Sequence, residues 1–180
     1  MKIWLTIGLL LGASGLMGCA STPRVASMVP EDAQLVFAST GKTLAVGKVE
    51  GGMQSDALEG SRINGWDFRL ALKEALKRSH LFPEVLDGEE GDYALSAALL
   101  AQNQPAIGFA MTVDLTVRYV LIDRRTGEAV FNDRISSSYT AGVGEAFVAA
   151  TRVRKANEGA VRENIKAFLN QTAELLGGTR

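Results

Sequence analysis

Phe109-Ala110-Met111-Thr112-Val113-Asp114-Leu115-Thr116-Val117-Arg118-Tyr119-Val120-Leu121-Ile122 alternates apolar and mainly polar positions without a break. A strand turns successive side chains to opposite sides, so this period of two predicts a long strand over 109–122 with one face in a core. Asp123-Arg124-Arg125-Thr126-Gly127-Glu128 follows as a hairpin turn with Gly127 at its tight position, and Ala129–Tyr139 is the antiparallel partner. Upstream, Tyr93–Ala101 is a strand rich in alanine and leucine, entered through an acidic turn at Gly88–Asp92.

Further out, Leu44–Val49 reads as the first strand. Residues 64–79 read as a helix with Asn64 as N-cap and Asp67 in its first turn. Phe68, Leu72, Ala75 and Leu76 recur at helical spacing and define its buried side. Leu81–Leu86 returns as a short strand. Glycines 142 and 144 end the last strand, and Glu145 to about Leu176 turns helical until Gly177-Gly178. Phe147, Ala150, Val161, Ile165, Phe168 and Leu176 fall on its apolar face. Arg152, Arg154, Lys155, Arg162 and Lys166 fall on the other, interleaved with glutamates as a solvated face. Asn157–Gly159 is placed to kink or split this helix.

The order β-α-β-β-β-β-α predicts an α+β two-layer sandwich, with a mainly antiparallel sheet and two helices on one face. Such an arrangement leaves Thr112, Asp114, Thr116 and Arg118 open to water or to a partner.

The amino terminus is organised differently. Lys2, the apolar run Ile3–Leu11 and the small residues Gly12–Gly15 precede Leu16-Met17-Gly18-Cys19. This is the layout of a secretory signal over residues 1–18, too short and too glycine-broken for a membrane span. Cys19 is the only cysteine, so no internal disulfide can form. Residues 19–42 read as a mostly extended tether, in which Leu35-Val36-Phe37 packs on the domain edge or adds a short strand. Residues 43–178 form one domain. The formal charge of −1 becomes −2 when Lys2 leaves with the signal, which argues against nucleic acid as a partner.

Leu16 three before Cys19, with Gly18 directly before it, resembles the bacterial lipobox. That resemblance implies lipidation of Cys19 and a membrane tether. Ala20, in place of aspartate, implies sorting to the periplasmic face of the outer membrane. The element order, the Asp123-x-x-Thr126-Gly127 turn and the helix reading Arg154-x-Ala156-x-Glu158-x-Ala160 are similar to small Gram-negative outer-membrane lipoproteins. The YajG type is one example, and the LptE, TolB amino-terminal and CsgG-like folds share the order.

No catalytic constellation emerges, and no cofactor or metal is expected. Gly41-Lys42-Thr43 lacks the glycine five positions earlier that a P-loop needs, and it precedes a strand. His80, the single histidine, sits at a helix end and has no sequence partner for a triad or a zinc site. Asp87, Glu89, Glu90 and Asp92 do not match a calcium loop, and Asp114 is expected to pair with Arg134 or Arg118. Only convergence of that acidic cluster with Asp114 would support a hydrolase.

The leading expectation is a non-enzymatic adaptor or accessory domain, docking an envelope protein or a second copy through the polar sheet face or by strand addition. The alternative is a lipid or lipopolysaccharide binder using Gln104, Pro105, Ile107 and Phe109 together with the basic last helix.

Overall fold

The computed structural model describes residues 22–31, 37–55, 61–88, 90–104 and 108–177. The signal segment 1–18, Cys19, Leu35, Val36, Pro105 and Ile107 lie outside the described residues.

The elements are α1 (Val25–Met28), β1 (Leu44–Gly51), α2 (Gly65–Ser79), β2 (Val85–Asp87), β3 (Tyr93–Asn103), β4 (Met111–Asp123), β5 (Ala129–Ala141) and α3 (Ala149–Leu175). They form a single five-stranded sheet in the order β2-β1-β3-β4-β5. The expected α+β architecture is observed, with a mainly antiparallel sheet. β3, β4 and β5 form a meander, whereas β1 pairs in parallel with both β2 and β3. β2 and β3 lie on opposite sides of β1, so the chain passes β1 between them, with Gly91 against Ala45. Gly91 permits the crossing: a Cβ there would lie 2.9 Å from the Ala45 nitrogen. The crossing also explains why Ala45 is buried on the face opposite Leu44 and Val46.

The alternation in β4 holds. Met111, Val113, Leu115, Val117, Tyr119 and Leu121 are each no more than 1% exposed and form the centre of the core. The strand begins at Met111, not Phe109, because its ladder with β5 ends at the Met111–Ala141 pair. The turn after β4 is as expected: the Gly127 amide donates to the Asp123 carbonyl at 2.7 Å, with Gly127 at φ 76°.

α2 starts where its cap predicts. Asn64 Oδ1 accepts from the Asp67 amide at 2.8 Å, and Asn64 Nδ2 donates to the Asp67 carboxylate at 2.6 Å. His80 is the C-cap, in the left-handed region at φ 53°. β2 is shorter than the expected 81–86 strand. Pro83 has no N–H to give a ladder, and Leu81 and Phe82 turn into the core instead.

Both helices pack on one face of the sheet through a row of rings. Phe68 of α2 lies 6.4 Å from Tyr119 of β4, which stacks at 4.1 Å on Phe168 of α3. Phe168 meets Phe131 of β5 edge-on at 5.5 Å. Under this row, the Tyr119 hydroxyl donates to Asn164 Oδ1 at 2.8 Å, and Asn164 Nδ2 donates to the Ile135 carbonyl at 2.8 Å. Tyr119 and Asn164 thus satisfy each other and the sheet across the helix–sheet boundary.

Three expectations are corrected. Residues 24–30 do not run extended: they contain the helical turn α1, with Met28 fully buried and Val29 6% exposed. α1 packs against α3, where the Arg24 amide donates to Glu158 Oε1 and Arg162 Nη1 donates to the Ser27 carbonyl. α3 is therefore covered on two sides, so its basic side is not a solvated face. Arg152 is 6% exposed, and Arg154 pairs with buried Glu158 at 3.1 Å. Nor does α3 kink or split, for it runs unbroken from Ala149 to Leu175.

Candidate docking surface

The helix-free face of the sheet carries a ladder of small hydroxyls. Thr112 opposes Thr140 with the two Oγ1 atoms 2.8 Å apart, and Thr116 opposes Ser136 with oxygens 3.0 Å apart. Between them Asp114 faces Ser138 on β5 and Asn103 on β3. One step further, Arg118 lies opposite Arg134 and donates through Nε and Nη2 to Asn132 Oδ1 at 3.1 and 2.9 Å. The four residues Thr112, Asp114, Thr116 and Arg118 do share one open face, as the alternation requires.

The expected partner of Asp114 is not the observed one. Register places Arg134 across from Arg118, four residues along β5 from Ser138, so Asp114 stands in a row of hydroxyls and amides. Arg118 instead reaches across the sheet, lining a groove of about 330 Å³ with Lys48, Glu50, Ser96, Ala98 and Val120. The face thus mixes both charge signs over a floor of small side chains.

The acidic cluster does not converge on Asp114. Asp92 adjoins Tyr93, which pairs with Asp123, nine residues from Asp114 and about 30 Å away at the rise of a strand. Asp92 accepts from the Thr43 amide at 2.8 Å and from its hydroxyl at 3.0 Å. The amide bond, reinforced by the hydroxyl, holds the carboxyl below its ordinary range. Asp87 is lowered likewise, first by its bond from Lys73 and then by Arg69. These carboxylates are engaged in tying segments together. Among the described residues no group of three or more His, Cys, Asp or Glu is placed to hold a metal.

Of the loop residues, Gln104 is half-buried and accepts from Asn157 Nδ2 at 3.3 Å, within a network that includes Gln102. Phe109 is 87% exposed. Phe147, expected on the buried side of the last helix, is 91% exposed, because α3 begins only at Ala149. The two loops meet on Arg152. Its Nη1 donates to the Ala146 and Phe147 carbonyls at 2.9 and 2.7 Å, and its Nη2 to the Gly108 carbonyl at 3.1 Å.

A second feature had no signal in the sequence. β2 covers only Leu44–Val46 of β1. Beside the remainder lies a cleft of about 770 Å³ lined by Gly47, Val49, Gly65, Trp66 and Arg69. Arg69 donates to the Val46 and Gly47 carbonyls, each at 2.8 Å, and so blunts that strand edge.

No known protein family and no curated protein matches the sequence. Solved structures do match the fold. Protein XCC0632 from Xanthomonas campestris, of family DUF330, superposes with a TM-score of 0.63 at 13% identity, over 86% of this chain and 94% of that one. CT253 from Chlamydia trachomatis gives 0.52 at 11% identity, over 72% and 96%. A minor lipoprotein from Acinetobacter baumannii is a looser match at 0.49 and 10% identity, over 74% and 93%. At such identities the likeness is one of fold alone. Among the described residues no helix is long and apolar enough to cross a membrane.

Proposed function

We propose that this chain is a lipoprotein of the Gram-negative envelope, acylated on Cys19 and held at the periplasmic face of the outer membrane. Its domain serves as a non-enzymatic adaptor or accessory subunit in envelope assembly or transport. The anchor and its location rest on the lipobox-like Leu16–Cys19 and on Ala20. The docking role rests on one observation: the open face of the β3-β4-β5 meander presents hydroxyls, Asp114 and Arg118 with no covering element among the described residues.

Such a surface offers hydrogen bonds and both charge signs but little apolar area, which suits recognition of a folded polar partner. Strand addition at β5, the long outer strand, is the other route by which a partner could join the sheet. Lipopolysaccharide binding through the last helix is less well supported, since Arg152, Arg154 and Arg162 are each engaged by groups of this chain.

The test is a crosslinking pull-down from intact cells, with the full chain tagged after Arg180. Asp114→Lys or Arg118→Glu is expected to abolish recovery of the envelope partner while the melting temperature stays unchanged. Undiminished recovery with both variants would remove the polar face from the reading.

A further inference from the structure

The end of the molecule where Phe109 and Phe147 emerge is unlike the rest of its surface. Residues 108–111 and 142–151 carry one charged side chain, Glu145, where the chain average of 22% would give about three. Within these stretches Phe109 is 87% exposed, Phe147 91%, Val148 63% and Val143 42%. Two nearly bare phenylalanines on adjacent loops are not scattered surface residues, because the buried Arg152 guanidinium holds both loops by their carbonyls. The patch is preorganised.

The course of the amino-terminal chain indicates what covers it. Arg24 contacts Glu158 and Ser27 contacts Arg162, so α1 runs parallel to α3. Arg24 therefore stands on the side of α1 nearer the start of α3, which is the end bearing the two phenylalanines. Glu158 lies nine residues past Ala149, about 14 Å along the helix axis. Cys19 lies five residues before Arg24, and five residues reach at most about 17 Å. The linker can bring Cys19 level with the patch and scarcely beyond it.

We propose that this apolar end is a membrane-contacting tip: Phe109, Phe147, Val148 and Val143 enter the headgroup–acyl boundary of the leaflet that holds the Cys19 anchor. The proposal deepens the lipid-anchored reading and rests on it for the choice of a bilayer as occupant. Aromatic rings favour that boundary, and a shallow insertion of about 5–10 Å suits side chains on loops. The long axis of α3 then stands away from the membrane, and the Asp123–Glu128 turn becomes the distal end. Tether and tip together fix an orientation that a lipid chain alone leaves free.

The experiment uses the full chain, expressed with its signal and reconstituted into phosphatidylethanolamine–phosphatidylglycerol vesicles doped with shallow dibrominated phosphatidylcholine. Trp4→Phe and Trp66→Phe remove the two native indoles, and Phe147→Trp or Glu128→Trp installs one at either end. The indole at position 147 is expected to lose roughly half its emission to the brominated lipid and to shift to the blue, as a side chain at the acyl boundary should. The indole at 128 is expected to lose none. No quenching at 147 in vesicle-bound protein, or equal quenching at both ends, overturns the tip; the patch then faces a protein or lies flat without preference. The mass of the Cys19 peptide separates the two claims. An unacylated cysteine with quenching at 147 refutes the anchor and keeps the tip.

Discussion

Tyr139 of β5 lies against Gly159 of α3 so closely that any Cβ at position 159 would overlap the ring. Arg162 lies over the same ring, its guanidinium carbon 5.4 Å from the centroid. The glycine in mid-helix is a seat for an aromatic side chain and does not break the helix. Overpacking in Gly159→Ala should therefore cost about 1–3 kcal/mol. The gain in helix propensity, about 1 kcal/mol, opposes this and is the smaller effect. Thermal and urea unfolding of the variant would measure the net sign.

Tyr119 is fully buried, and its hydroxyl is donated to Asn164. Tyr119→Phe keeps the stacked ring but leaves a buried amide oxygen without its donor, at an expected cost of about 1–3 kcal/mol. Burial also pushes the Tyr119 hydroxyl well above its ordinary value of 10.0. The folded protein thus holds that proton where the unfolded chain releases it, and stability should fall as pH rises past about 10. Alkaline titration of the melting temperature should show a shallower fall in Tyr119→Phe.

Asp92 and Asp87 both titrate below the ordinary carboxylate value of 3.8. Their contribution is complete above that value and is lost as pH falls through the lowered folded values. The gap in melting temperature between the native chain and Asp92→Asn should be widest near neutrality and close below about pH 4. A gap that stays constant with pH would mean that folding does not lower the Asp92 carboxyl.

Met28 belongs to the core although it precedes the first strand by more than a dozen residues. Met28→Ala should cost about 2–5 kcal/mol, as emptying a fully buried site does. Chemical unfolding would show it. A cost near zero would mean that α1 packs loosely enough to leave the core intact.

The central part of this fold is written plainly in the chain. The unbroken alternation around Val113–Leu121 fixes a strand buried on one side, and Asn64 with Asp67 fixes where α2 begins. Both are local signals, read within a few residues of the feature they specify. What escapes is set by distant contacts. Nothing near Val25–Met28 forecasts that this turn will seal the outer side of α3. Without that cover, Arg154 looks like a solvated cation when it is the partly buried partner of Glu158, and the loop carbonyls that engage Arg152 are just as distant in sequence-pattern terms.

The docking surface divides the same way. The shared face of Thr112, Asp114, Thr116 and Arg118 follows from period two alone. Their partners follow from register, which a one-residue uncertainty at the turn is enough to blur. Apolar spacing continues past the true helix start and so points Phe147 the wrong way, and the carbonyl-binding role of Arg152 that fixes its loop has no sequence signature.

α3, the last of the elements, supplies Val161, Ile165, Phe168 and Leu169 to a core whose other walls come from residues as early as Met28. Until that helix is present, β4 and β5 have an apolar face with little to close over it. The domain therefore cannot complete its folding progressively from its amino terminus: the decisive cooperative step waits for the carboxy-terminal helix. A polypeptide built this way depends on its last helix to close the core, so removing α3 would expose the apolar sides of β4 and β5 together.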